Sequence, residues 1–113
     1  MASHSYELID VFTDQPLMGN QLAVFRHGGN IAEPLLRPLA RELNLAETVF
    51  VYPPEAGGHA RARIFTTWSE LPFAGHPILG TACVLARAMS DTPATMDIRL
   101  ETGKGVIPVK VES

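Results

Sequence analysis

Glu70-Leu71-Pro72-Phe73-Ala74-Gly75-His76-Pro77-Ile78-Leu79-Gly80-Thr81-Ala82 decides how this chain folds, because it joins a cramped polar turn to a helix with almost no polar face. From Ile78 to Met89 only Thr81 and Arg87 carry side chains that prefer water. A helix apolar all round must be buried all round, so the pattern predicts a central helix wrapped by other elements. Gly75-His76-Pro77 opens that helix. Its first turn holds backbone N–H groups without intrahelical partners, and these with the helix dipole suit a small carboxylate.

Working outward, the composition sets limits. At 113 residues the chain is long enough for one core and too short for two. A net charge of −3 without a basic cluster argues against sequence-independent nucleic-acid binding, which needs cations aligned along phosphates. No apolar run reaches 18 residues, and Met1-Ala2-Ser3-His4-Ser5 lacks the basic and apolar regions of a signal peptide. The expectation is a cytoplasmic protein. The one cysteine, Cys83, falls inside the apolar helix, where packing is its expected role.

Upstream of the helix the pattern alternates between strand and turn. Tyr6–Phe12 and Gln21–Phe25 read as two strands able to pair. Leu35, Leu36, Leu39, Ala40 and Leu43 recur at helical spacing, which predicts a helix over Glu33–Leu43 with Pro34 and Pro38 near its start. Thr48–Tyr52 and Ala60–Phe65 are strands, the second with arginines on one face. Asp97–Thr102 and Val106–Val111 form a last hairpin around Gly103-Lys104-Gly105. The fold class expected is α+β, with six strands in a curved mixed sheet around the second helix. Six strands hardly close around a helix about 10 Å wide, so further strands from elsewhere are expected.

Three polar residues stand where a core does not need them. Glu47, between the first helix and a strand, is either an acid/base group raised in pKa by an apolar junction, a solvated carboxylate, or a capping partner for Thr48. His76 either contacts a substrate at the helix entrance or bonds its own turn. Glu70 is expected to order the turn by accepting backbone N–H bonds. His4, His27, His59 and His76 lack ligand spacing, so no metal is expected. Nucleotide-binding and serine-hydrolase motifs are missing from the sequence. Acid/base work on a small anion is what the residues leave.

Pro16-Leu17-Met18-Gly19-Asn20, Asn44-Leu45-Ala46-Glu47-Thr48-Val49-Phe50, Arg63-Ile64-Phe65-Thr66 and Glu70–Pro77 with Gly80-Thr81-Ala82 resemble the phenazine-biosynthesis PhzF-like isomerases in order and spacing. The resemblance spans 1–113 as a single domain and the N-terminal half of the family's usual length. It implies one diaminopimelate-epimerase-like half, with an active site in a cleft between two halves. It implies that Glu47 is the catalytic residue moving a proton within a small carboxylic or amino acid without a cofactor. Asn20, Gly75 and His76 are implied to bind substrate. Ala74 stands where related epimerases begin the turn with cysteine, so two-thiol racemisation is not expected. Gln21 and Thr67 replace prolines usual in the family. The missing half is expected from a C-terminal-half chain, a second copy in a homodimer, or the rest of a longer protein. The reading from a different class is a non-catalytic binding or scaffold module that kept the fold.

Overall fold

The computed structural model describes residues 5–11, 20–89 and 96–111. The segment 16–19 of the first quoted motif and Phe12 of the first expected strand lie outside the described residues. The elements run β1 (Glu7–Val11), β2 (Asn20–Phe25), α1 (Leu36–Leu43), β3 (Glu47–Tyr52), β4 (Ala60–Phe65), β5 (Glu70–Leu71), α2 (Gly75–Met89), β6 (Met96–Thr102) and β7 (Gly105–Val111).

The helix expected over Glu33–Leu43 begins as a 3-10 turn at Glu33–Leu35 and becomes α-helical at Leu36. Pro38 sits in the first turn of α1, where its missing N–H breaks no bond. Asn44 ends the helix in the left-handed region at φ 53° and donates its N–H to the Ala40 carbonyl at 3.2 Å.

One mixed sheet has the order β1-β2-β3-β4-β6-β7, with β5 on the remaining part of β4's edge. β1 and β2 pair antiparallel, as the sequence predicts. β2 and β3 run parallel across the α1 connection, and β4 and β6 run parallel across the α2 connection. The seventh strand was not legible in the sequence: β5 is two residues long and stops at Pro72, too short to show alternation. β7 is an edge strand, the sheet position that tolerates Pro108.

Alternation sends the two faces of the sheet to different clusters. Leu22, Val24, Val49, Val51, Ala62 and Ile64 pack with Ile78, Ala82 and Val84 of α2. On the other face Ala23, Phe25, Phe50 and Phe65 pack with Leu36 and Ala40 of α1. Phe50 stacks on Phe25 and takes Phe65 edge-on, with ring centroids 5.0 and 5.4 Å apart. The sheet curls far enough for α2 to touch β1 and β2 at one side and β6 and β7 at the other.

The expectation that α2 is covered on all sides is corrected. Ile78, Ala82, Val84 and Ala86 are buried, but Leu79, Cys83 and Leu85 are only half-buried. β1 and β7 are separate edges, so the sheet is an open trough rather than a closed barrel. His76, Leu79, Cys83 and Arg87, spaced by three, four and four, form the stripe of α2 that the trough leaves partly uncovered.

Candidate functional site

Register places Asn20, Glu47 and Glu70 at one end of the sheet. Asn20 opposes Val11, Glu47 opposes Leu22, Thr48 opposes Phe65, and Phe65 opposes Glu70. Glu47 therefore opens β3 at the sheet end where β5 begins, and β5 runs from there toward α2. It is half-buried. Its strand partners in phase, Val49 and Val51, pack against the α2 side, so Glu47 occupies that face of the sheet. Asn20 opens β2 at this end, and its side chain lies outside the described residues.

Pro72-Phe73-Ala74 carries the chain from β5 to the first turn of α2. There Ile78 donates its N–H to the Ala74 carbonyl at 3.3 Å, and Pro77 has none to donate. A Cβ built on Gly75 would meet nothing within 4 Å, so the helix entrance opens on free space. His76 is half-buried beside it and engages a partner within the chain. This combination, a carboxylate on the α2 face and a positive helix end facing open space, suits a small acid.

Glu70 departs from its expected role. It opposes Phe65, so it lies on the α1 face, the opposite side of the sheet from Glu47. The turn before it is ordered instead by Thr66, whose Oγ1 accepts from the N–H groups of Trp68 at 3.1 Å and Ser69 at 3.0 Å. Glu70 takes both oxygens to Arg63, accepting from Nε and Nη2 at 2.8 Å each. Arg63 Nη1 donates to Glu33 at 2.7 and 2.8 Å. The hydrogen bond from Arg63, with its charge, holds the Glu70 carboxyl below the usual carboxylate range. The same bond, supported by Glu33, raises the Arg63 guanidinium above its ordinary value.

Two open cavities lie elsewhere. One of 340 Å³ fills the gap along β4 between β5 and the β6–β7 turn and is lined by Arg61, Arg63, Glu70, Pro72, Thr102 and Gly103. The other, of 470 Å³, lies at the far end of the sheet beside Arg26, His27, Tyr52 and His59. Neither is lined by Glu47, Gly75 or His76. Among the described residues no three of His, Cys, Asp and Glu cluster so as to hold a metal ion, and no helix is long and apolar enough to cross a membrane.

The phenazine biosynthesis-like proteins match residues 9–113 of this chain. The chain belongs to that family. Among its relatives, trans-2,3-dihydro-3-hydroxyanthranilate isomerase of Pseudomonas aeruginosa is 45% identical over 109 residues, covering 96% of this chain and 38% of the relative. The enzyme of the same name from Pseudomonas fluorescens has the same identity and coverage. A solved structure of a predicted epimerase from Pseudomonas aeruginosa superimposes with a TM-score of 0.87 at 34% identity, covering 98% of this chain and 39% of that one. A PhzF-family protein from Bacillus anthracis gives 0.82 at 27% identity, with 97% and 36% covered. A hydroxyproline epimerase from Agrobacterium vitis, at 15% identity and a TM-score of 0.67, shares the fold. The family member described here thus carries an α+β epimerase-type fold, and it spans under two-fifths of the length of these relatives.

Proposed function

We propose that this chain is one half of a cofactor-independent isomerase that moves a proton within a small carboxylic or amino acid. The observation that carries the reading is the register that sets Glu47 on the α2 face, at the sheet end where β5, the strand that leads to the Gly75-His76 helix entrance, begins. Glu47 is the acid/base residue: it accepts a carbon-bound hydrogen as a proton and returns it to another carbon. Gly75 and His76 hold the substrate's carboxylate at the helix entrance, with Asn20 as a further substrate contact. All of residues 1–113 act as a single half-domain. A C-terminal-half chain, a second copy or the remainder of a longer protein supplies the facing wall. The lengths of the relatives support a missing wall, and the open face at Gly75 supports a site shared with it.

The test is hydrogen exchange on the complete protein that carries this chain. Trans-2,3-dihydro-3-hydroxyanthranilate, the compound named for the relatives, is the first substrate to try in deuterium oxide. The wild type should move or exchange a carbon-bound hydrogen. Glu47→Gln should abolish that transfer while leaving folding and docking nearly intact, because the amide keeps the shape but takes up no proton. His76→Ala should weaken binding and turnover together. Full exchange by Glu47→Gln would make Glu47 a structural carboxylate. No exchange by the wild type with any candidate acid would favour the binding-module reading.

A further inference from the structure

We infer that Arg63 is a positioning residue of this site, acting as a clamp that fixes β5 and, through it, the helix entrance against the strand end that carries Glu47; the inference rests on the function proposed above. Three separate segments meet on its guanidinium. Glu33 comes from the 3-10 turn before α1, Arg63 from β4, and Glu70 from β5. Their contacts run from 2.7 to 2.8 Å, with Glu70 held by two parallel N–H groups and Glu33 by Nη1. The guanidinium carbon also stands 5.4 Å over the ring of Phe65, which is buried in the aromatic cluster. Such a geometry needs the planar fork of arginine, and the ammonium of lysine can serve only one of the two carboxylates well.

The clamp matters because β5 is short: the Thr66 turn holds its start, where Thr66 donates its N–H to the Ser69 carbonyl at 2.8 Å, and the ladder beyond is brief. Two ladder pairs join it to β4, Ile64 with Leu71 and Phe65 with Glu70. Pro72 follows without an N–H, and Phe73 is exposed. On the other side Leu71 packs on the core, and Pro72 abuts Gly103, where an added Cβ would come within 2.9 Å. β5 is thus pressed into one position between the clamp and the β6–β7 turn, and only Pro72-Phe73-Ala74 separates it from Gly75. Without Arg63, Glu33 and Glu70 lose the one group that bonds both and ties their segments together.

An exposed ion pair kept only for stability is worth little, so its loss should pass unnoticed or be felt evenly. The clamp predicts a local effect instead. In the complete protein, amide hydrogen exchange and the deuterium assay with trans-2,3-dihydro-3-hydroxyanthranilate would be run on Arg63→Lys, Arg63→Gln and the control Glu55→Gln. The control removes an exposed carboxylate whose contact with Arg61 is 3.9 Å. Arg63→Lys should speed amide exchange over residues 69–78 at least tenfold and leave β6 and β7 unchanged. It should lower kcat/KM about tenfold, keeping the pH dependence of the proton transfer. Arg63→Gln should be worse on both counts, and Glu55→Gln should match the wild type. Unchanged amide exchange over 69–78 in Arg63→Gln, or loosening spread evenly over the sheet, would overturn the clamp. Local loosening with kcat/KM intact would overturn its link to the site. If the wild type transfers no hydrogen at all, the proposed function fails, and the amide data still decide the clamp.

Discussion

Glu101 is the carboxylate that sequence reading passed over, and it is the most completely bonded acid described. It is buried near the start of β4, opposite Arg61, and accepts the N–H groups of Glu55, Ala56 and Gly58 at 2.6, 2.7 and 2.8 Å. Those bonds, Glu55's first, hold its carboxyl below the usual carboxylate range. Because the folded value is depressed, the stabilisation is complete above the unfolded value near 4.5 and is lost as pH falls through the folded value. Urea unfolding should therefore show Glu101→Gln less stable than the wild type at pH 7, with the gap closing below pH about 4.5. A gap unchanged by acid would mean that shape alone, not charge, closes this loop. In the sequence Glu101 was indistinguishable from a solvated strand residue, since its partners are backbone groups more than forty positions away. Glu47 stood out as a candidate for the opposite reason: it stands at a junction inside a recognisable local motif. What the motif could not tell was the face, and only strand register put Glu70 on the opposite side from Glu47.

Helix α2 shows how far periodicity reaches. Its position, length and apolar character were readable, whereas its half-open side depended on whether the sheet closes, which is set by edges far apart in sequence. Leu85, expected in the core, is half-buried, so its truncation should cost less than that of a full core leucine. The polar residue inside the buried side, Thr81, is fully buried, and its hydroxyl finds no hydrogen-bond partner among the described residues. An unsatisfied buried hydroxyl costs about 1–3 kcal/mol, and valine has nearly the same shape. Thr81→Val should therefore raise the unfolding free energy by about 1 kcal/mol in chemical denaturation. A loss of stability would show that the hydroxyl is satisfied in solution. β5 illustrates the converse limit of pattern reading: two residues cannot display a period, and its existence depends on β4, Arg63 and the β6–β7 turn together.

For the molecule as a whole, the open trough carries a consequence for association. β1 and β7 end the sheet order, each with one side of its backbone ladder unpaired within the described sheet. Along the uncovered side of α2 lie His76, Leu79 and Cys83, all half-buried, and at its end Met89 is 51% exposed. Apolar groups bordering sheet edges in this way favour a covered state. The chain should therefore self-associate when isolated, or bind the polypeptide that supplies the rest of the relatives' length, burying more than about 1,000 Å² in total. Sedimentation across the micromolar range should show a mass that rises with concentration, or a defined complex when that polypeptide is added. Leu79→Glu should weaken the association, because it sets a charge on the half-buried stripe, while Lys104→Glu in the exposed β6–β7 turn should not. A monomer at every concentration, unmoved by either addition or mutation, would show that the trough is stable uncovered and would remove the structural reason for a shared site.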